Sequence, residues 1–438
     1  MRQRNRTTSS IVAGSATALL LAGCFAGNVN DEADDIDVSR DLTDEDITLT
    51  LTYIDEPPTG ALIEAFEEEH PNITIDTTQI PFTDYVKSIQ RAMDSPSAPD
   101  MVQFNPGAMR SLIPAGLVRD LTPYQEEYGW DEIFPASTLE TFHASDDAKE
   151  FNTGSLYATP GALSVLGVFY NKDLLDEAGI SSLPETIDEF EQTLGELDDH
   201  DIQPFIVGGL EIGAFQLWNA LTDTLSDVEE YKDWVYGADG ASIETDAALQ
   251  AANYVESWIE EGYISSGASS VSDSDALAAF TDGDAAFFVT GNWNAHALSE
   301  SLGDSVGFFP MPGESADSPH VASGGSVAFS ISATSDYPNE AAAFLDFLAT
   351  AQAAQVQVDT GFMPVNTEAD IEADGLTTEI VDGFALINEG AGIVPFADYS
   401  TPGMLDELIS GVQGIITQTS SPEEFLEQLQ SEWDSYHG

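Results

Sequence analysis

At 438 residues, 42% of them hydrophobic, the chain is long enough for two globular domains, each with a core of its own. Its 78 acidic residues against 11 basic ones give a formal charge of −67, which leaves no basic patch to displace phosphate counterions and excludes nucleic acid as a partner. After Lys232 there is no Lys or Arg at all, so relief of self-repulsion has to come from dissolved salt, which shortens the screening length to roughly 3 Å at molar concentration. The expectation is a protein adapted to a saline exterior.

The first residues read as an export segment. Arg2, Arg4 and Arg6 precede an apolar run over 11–21 that is too short to span a bilayer and ends in small residues. Leu21-Ala22-Gly23-Cys24 resembles a lipobox, which implies removal of residues 1–23 and lipidation of Cys24, the only cysteine. Without residues 1–23 the chain keeps 8 basic and all 78 acidic residues, a formal charge of −70. One cysteine cannot form an internal disulfide. No later stretch reaches about 18 consecutive apolar residues, so anchoring by acyl chains rather than a helix is expected. Residues 24–46, rich in Asp and Glu, read as an acidic tether.

Residues 47–53 alternate polar with apolar or β-branched positions, as a first strand should, and a helix with Leu62, Ile63 and Phe66 on one face runs to Pro71. A strand over 73–80, a helix carrying Val86, Ile89 and Met93, and a short strand over 100–104 follow. This β-α-β-α-β order predicts a parallel sheet, whose ligand site lies beyond the carboxyl ends of its strands. Tyr53, Asp55, Phe104 and Asn105 are candidates by that position alone. Each has a plainer reading in capping or turn chemistry.

Residues 163–170 form a nearly continuous apolar run, as a strand covered on both faces would. Asn171 is a plausible N-cap for a short helix that Gly179 stops. Thr186 and Glu189 predict a capping box for a helix to Leu197. A strand over 204–207, a helix bearing Phe215, Leu217 and Trp218, and helices around 247–261 and 275–280 come next. Then a strand over 285–290 meets Gly291-Asn292-Trp293 and another helix, which sets Trp293 at a strand's carboxyl end. Trp218, on a helix face, has two readings: a ligand surface or core. Residues 402–419 and 422–433 read as terminal helices.

The wording LYATPGALSVLGVFYNKDLL at 156–175 resembles the crossing between lobes in extracellular solute-binding proteins of sugar ABC transporters. PDMVQFNPG at 99–107 is similar to their first-lobe loop, and GNW at 291–293 to their second-lobe aromatic loop. VASGGSVAFSISATSDYPNEAAAFLDFLAT from 321 onward looks like the return crossing, and GFMPVN at 361–366 like a further one. The order of these motifs across roughly 400 residues, after a lipoprotein-type start, is specific as a set.

The resemblance implies an α/β, two-lobe fold of the type II periplasmic-binding-protein kind, each lobe a parallel-rich sheet flanked by helices, with the ligand cleft between. It divides the chain into 47–160 with 327–360 as lobe 1, and 161–326 with 361–438 as lobe 2. It implies capture of a saccharide by hinge closure and delivery to ABC permease subunits by a monomer that needs no cofactor. Trp293 is placed in the pocket first, Asn105 and Phe104 next, then Trp218 and Gly161. Gly324, Gly325 and Phe362 belong to the crossings, and Asp398 and Tyr399 stand where they could reach the cleft. Gly107 and Ala108 replace charged residues of maltose-binding relatives, which counts against maltose itself.

Enzymatic signatures are missing. Carboxylate pairs arise by chance among 78 acids, the six histidines have no metal-ligand spacing, and there is no GxSxG, P-loop or GxGxxG. Asp273 and Asp275 begin a calcium-like loop, but Leu277 and Ala278 stand where an oxygen ligand and a glycine belong. A sugar-sensing or adhesive surface lipoprotein has the same sequence signature as a transport component, and a carbohydrate-active enzyme is the remaining alternative.

Overall fold

Two strands long enough to belong to both halves of one sheet organise the molecule. The computed structural model describes residues 38–54, 57–134, 136–366 and 369–438. Strands β1 (Ile47–Ile54), β2 (Ile73–Ile80) and β3 (Met101–Phe104) are parallel, and the small hairpin β4 (His143–Ala144) and β5 (Ser155–Leu156) stands apart. The long strand β6 (Thr159–Asn171) is followed by β7 (Phe205–Ile206), β8 (Phe287–Gly291), β9 (Val306–Phe309), the second long strand β10 (Val321–Ile331), and β11 (Gly392–Val394). The sheet order is β2-β1-β3-β10-β6-β8-β7, with β9 beside β6 and β11 beside β10.

The long strands change partners along their length. From Thr159 to Val165, β6 pairs antiparallel with β10; from Leu166 onward it pairs antiparallel with β8 and β9. The carboxyl-terminal part of β10 pairs with β3, and its first residues pair with β11. A third crossing is a two-bond bridge, in which the Leu163 N–H donates to the Met363 carbonyl (2.8 Å) and the Met363 N–H donates back (3.0 Å). Among the named strands, the parallel pairs are β1-β2, β1-β3, β7-β8 and β10-β11. Antiparallel pairing around β6 and β10 makes the whole sheet mixed.

Successive side chains of a strand point to opposite faces, and β6 uses both. Val165 and Phe169 join a core that runs from Leu49, Phe66 and Phe104 to Phe308 and Phe384. Leu166 and Val168 join another, built on Phe190, Trp218, Trp234, Trp258, Leu408 and Phe425. An apolar run without alternation is what burial on both faces requires.

Local signals hold the helices in place. Asn171 accepts from the N–H groups of Asp173 and Leu174, and Gly179 takes φ +79° behind the helix Lys172–Ala178. Thr186 caps the helix Ile187–Asp199 through the Glu189 N–H, although the Glu189 carboxylate reaches the Glu185 N–H instead of closing the reciprocal bond. That complete box occurs at Ser421 and Glu424, opening the last helix, Pro422–His437. Among the described residues, no helix is long and apolar enough to cross a membrane.

Candidate functional site

A cleft of about 440 Å3 opens at the carboxyl ends of the strands, between the two halves of the sheet. On one side Ile54 ends β1, Pro81 and Phe82 follow β2, and Gln103, Phe104 and Asn105 end β3. On the other, Glu211 and Ile212 precede the helix Gly213–Leu225, which adds Phe215 and Gln216; Asp273 and Ser274 open the helix Asp273–Thr281; Trp293 follows β8. Phe396, Asp398 and Tyr399 come from the segment ahead of the helix Met404–Ile416, and Ser164 and Val327 of the crossing strands form the floor.

Trp293 owes its position to two neighbours. Its indole lies over Gly291, where an added Cβ would sit 1.9 Å from the ring. Asn292, fully buried, accepts from the Val165 N–H (2.9 Å) and donates to the Gly361 carbonyl (2.8 Å), tying this turn to two of the crossings. The half-buried indole tilts 55° to Phe396 with centroids 6.3 Å apart, and Phe396 meets Tyr399 edge-on at 5.5 Å. These rings form a stepped aromatic wall.

The segment carrying Phe396, Asp398 and Tyr399 is held from behind. The Tyr231 hydroxyl donates to the Pro395 carbonyl (3.0 Å), the Ala397 N–H donates to Asn219 Oδ1 (3.1 Å), and Arg110 Nε donates to the Tyr399 carbonyl (2.7 Å). Nη1 of Arg110 donates to the carbonyls of Ala148 and Lys149 and Nη2 to that of Val235, so one buried guanidinium joins the helix Pro106–Leu112 to the far half of the molecule. Gly325 lies against Tyr399: a Cβ there would come within 2.9 Å of the hydroxyl.

Polar groups face these rings. Asn105 caps the helix Pro106–Leu112 through the Ala108 N–H (3.1 Å), which leaves its amide nitrogen as the available donor. Gln103 Oε1 accepts from the Ile54 N–H (2.8 Å). Asp273 accepts from the Gly213 N–H (2.9 Å), while its own N–H donates to Glu211 (2.9 Å). Burial, with the Glu211 charge as a lesser cause, pushes the Asp273 carboxyl up to about 7. Burial alone pushes Asp398 up to about 7, against only the weak support of its own N–H. Among the described residues, no Lys, Arg or His lines the cleft.

Of the sequence candidates, the structure brings together Phe104, Asn105, Trp293 and Asp398, with Tyr399 beside them. The others stand elsewhere. Tyr53 is buried in the core and its hydroxyl accepts from Gln79; its strand neighbour Ile54 faces the cleft instead. Trp218 is core: its indole donates to the Ala248 carbonyl (3.2 Å) and its ring meets Phe425 edge-on at 5.0 Å. Gly161 is a packing position, where a Cβ would fall 2.5 Å from the Val327 carbonyl, and Phe362 is fully buried in the core. Gly324 and Gly325 line a second cavity of about 290 Å3, whose wall includes Leu163, the strand neighbour of the cleft residue Ser164. Asp55 and Cys24 lie outside the described residues. Asp275 belongs to the first turn of the helix Asp273–Thr281, capped by Ser272, and no metal-binding cluster occurs among the described residues.

Residues 55–355 match the family model of the bacterial extracellular solute-binding protein. The chain belongs to this family. It is 25% identical over 362 residues to the multiple sugar-binding protein of Streptococcus mutans, with 80% of each chain covered. It is 23% identical over 424 residues to the maltodextrin-binding protein MdxE of Bacillus subtilis, covering 94% of this chain and 92% of that one. Among solved structures, a chitin oligosaccharide binding protein superposes with a TM-score of 0.76 at 23% identity, over 90% of this chain and 100% of the other. The fold of this solute-binding protein is therefore the two-lobe, type II arrangement, and its cleft is the gap between the lobes.

Proposed function

We propose that this solute-binding protein captures a saccharide outside the membrane by closing its lobes and delivers it to an ABC importer. The observation that carries the reading is the composition of the cleft, where a stepped wall of Trp293, Phe396 and Tyr399 faces Gln103 and Asn105, with Phe104 beside them and Gln216 on the far side. Sugars present C–H faces that stack on rings and hydroxyl rims that pair with amides and carboxylates. The names of the relatives, binders of multiple sugars, maltodextrin and chitin oligosaccharide, support the same class.

Closure follows from contacts on both sides: only a ligand that touches both lobes favours the closed form, by its differential affinity for it. The lobes would be 47–160 with 327–360, and 161–326 with 361–438. A monomer tethered by lipid on Cys24 through the acidic stretch 24–46 would then present the closed form to permease subunits as a carrier, not a catalyst. Calorimetric titration against a panel of mono- and oligosaccharides in molar salt tests the reading. Saturable binding of at least one saccharide is expected, and no heat from any member would contradict it.

A further inference from the structure

The cleft carries carboxylates as well as rings. With 78 acidic residues in 438, a few on any wall are expected, so the presence of Glu211, Asp273 and Asp398 in the lining says little by itself. The burial of Asp398 says more. It is 5% exposed, lines the cleft, and no side chain among the described residues donates to it; the influence that favours its ionised form is its own N–H. Asp273 and Glu211, by contrast, accept from main-chain N–H groups. Arg110, the cation bonded to this segment, gives its donors to four main-chain carbonyls.

A buried carboxylate without a cation or a set of donors is unfavourable. Protonation near neutrality is one relief, and a positive charge brought by the ligand is another. A neutral hydroxyl can donate to the carboxylate but leaves its buried charge uncompensated, whereas an ammonium both donates and supplies the opposite charge. Among the described residues the lining has no cation to hold a ligand's carboxylate or phosphate against its own carboxylates.

We infer that the saccharide bound in this cleft carries a protonated amino group, which is placed against Asp398, and that sugars bearing an anionic group are rejected. This rests on the saccharide reading above and narrows it.

The test compares sugars that differ at one carbon only: glucose with glucosamine, galactose with galactosamine, mannose with mannosamine, and glucose with glucuronic acid, each titrated into the mature chain at fixed molar salt and pH 6.5. In at least one pair the amino sugar should bind at least ten-fold more tightly than its hydroxyl counterpart, and glucuronic acid should give no saturable heat. Asp398→Asn should bring that ratio down toward one; if that variant fails to fold, the parent protein still tests the point, because N-acetylglucosamine, which keeps the nitrogen but carries no charge, should lose the advantage of glucosamine over glucose. Hydroxyl sugars that bind as well as or better than their amino partners overturn this inference and leave the saccharide reading standing. Silence from every sugar of either kind overturns both.

Discussion

Gly291 has no side chain because the indole of Trp293 occupies the place where one would be, 1.9 Å from an added Cβ. Gly291→Ala should therefore push the ring off the aromatic wall and weaken saccharide binding ten-fold or more, as measured by calorimetry, while far-ultraviolet circular dichroism stays unchanged; unchanged affinity would detach Trp293 from the site. Asp398 gives a prediction about stability. An acid raised from 3.8 to about 7 on folding holds its proton more tightly in the native state, so it increasingly opposes stability as pH rises through that window and is constant above it. Asp398→Asn should be more stable than its parent by an amount that grows from pH 4 to pH 7 and levels off, with a ceiling of about 4 kcal/mol. Denaturant unfolding of the ligand-free proteins at fixed salt checks this, and an advantage that shrinks with rising pH would contradict it. At this scale the sequence was legible where a residue stands at or just beyond a strand's carboxyl end, as with Phe104, Asn105 and Trp293. It misled at Tyr53, because the strand alternation that buries Tyr53 turns Ile54 to the cleft, and at Trp218, because a helix face bearing a tryptophan serves core and site equally well. The supporting Asn292 was missed, although it stands inside the quoted motif between glycine and tryptophan.

Elements transmit that positioning. The turn after β8 is bonded through Asn292 to β6 and to the 361–366 crossing, so its geometry and that of these two crossings are set together. Asn292→Ala strands the Val165 N–H and the Gly361 carbonyl in the interior. The penalty should be about 2–4 kcal/mol for two unsatisfied buried groups, read from chemical unfolding, and a loss below 0.5 kcal/mol would show that water or a neighbour takes over. The apolar run of β6 announced a doubly covered strand, and the βαβ order announced the parallel strands β1 to β3. Composition could not reveal that β6 exchanges β10 for β8 and β9 partway along, since pairing partners are fixed by tertiary packing and not by the strand's own residues. The strands β9 and β11, of four and three residues, are too short to carry a period.

For the whole molecule, the charge of −67 sets an expectation about salt. Among the described residues the cations are few, and three tie residues 47–160 to 161–326 or 361–438: Arg110 through carbonyls, Lys232 through Glu140 at 2.7 Å, and Lys87 through an exposed pair with Asp406 at 3.0 Å. An exposed pair of this kind contributes about 0–1 kcal/mol and cannot offset repulsion among so many carboxylates. The melting temperature should rise by more than 10 °C between dilute buffer and molar potassium chloride; a flat profile would contradict adaptation to salt. At this scale the sequence was most informative, because two lobes and three crossings depend on the order of many weak signals rather than on any one residue. The most direct test of the account is a paired calorimetric titration, in molar salt, of the parent protein and Trp293→Ala with the tightest-binding saccharide of the panel. Saturable one-to-one binding by the parent is expected, with at least a hundred-fold loss in the variant at a nearly unchanged melting temperature, whereas equal affinities would remove Trp293 from the binding cleft.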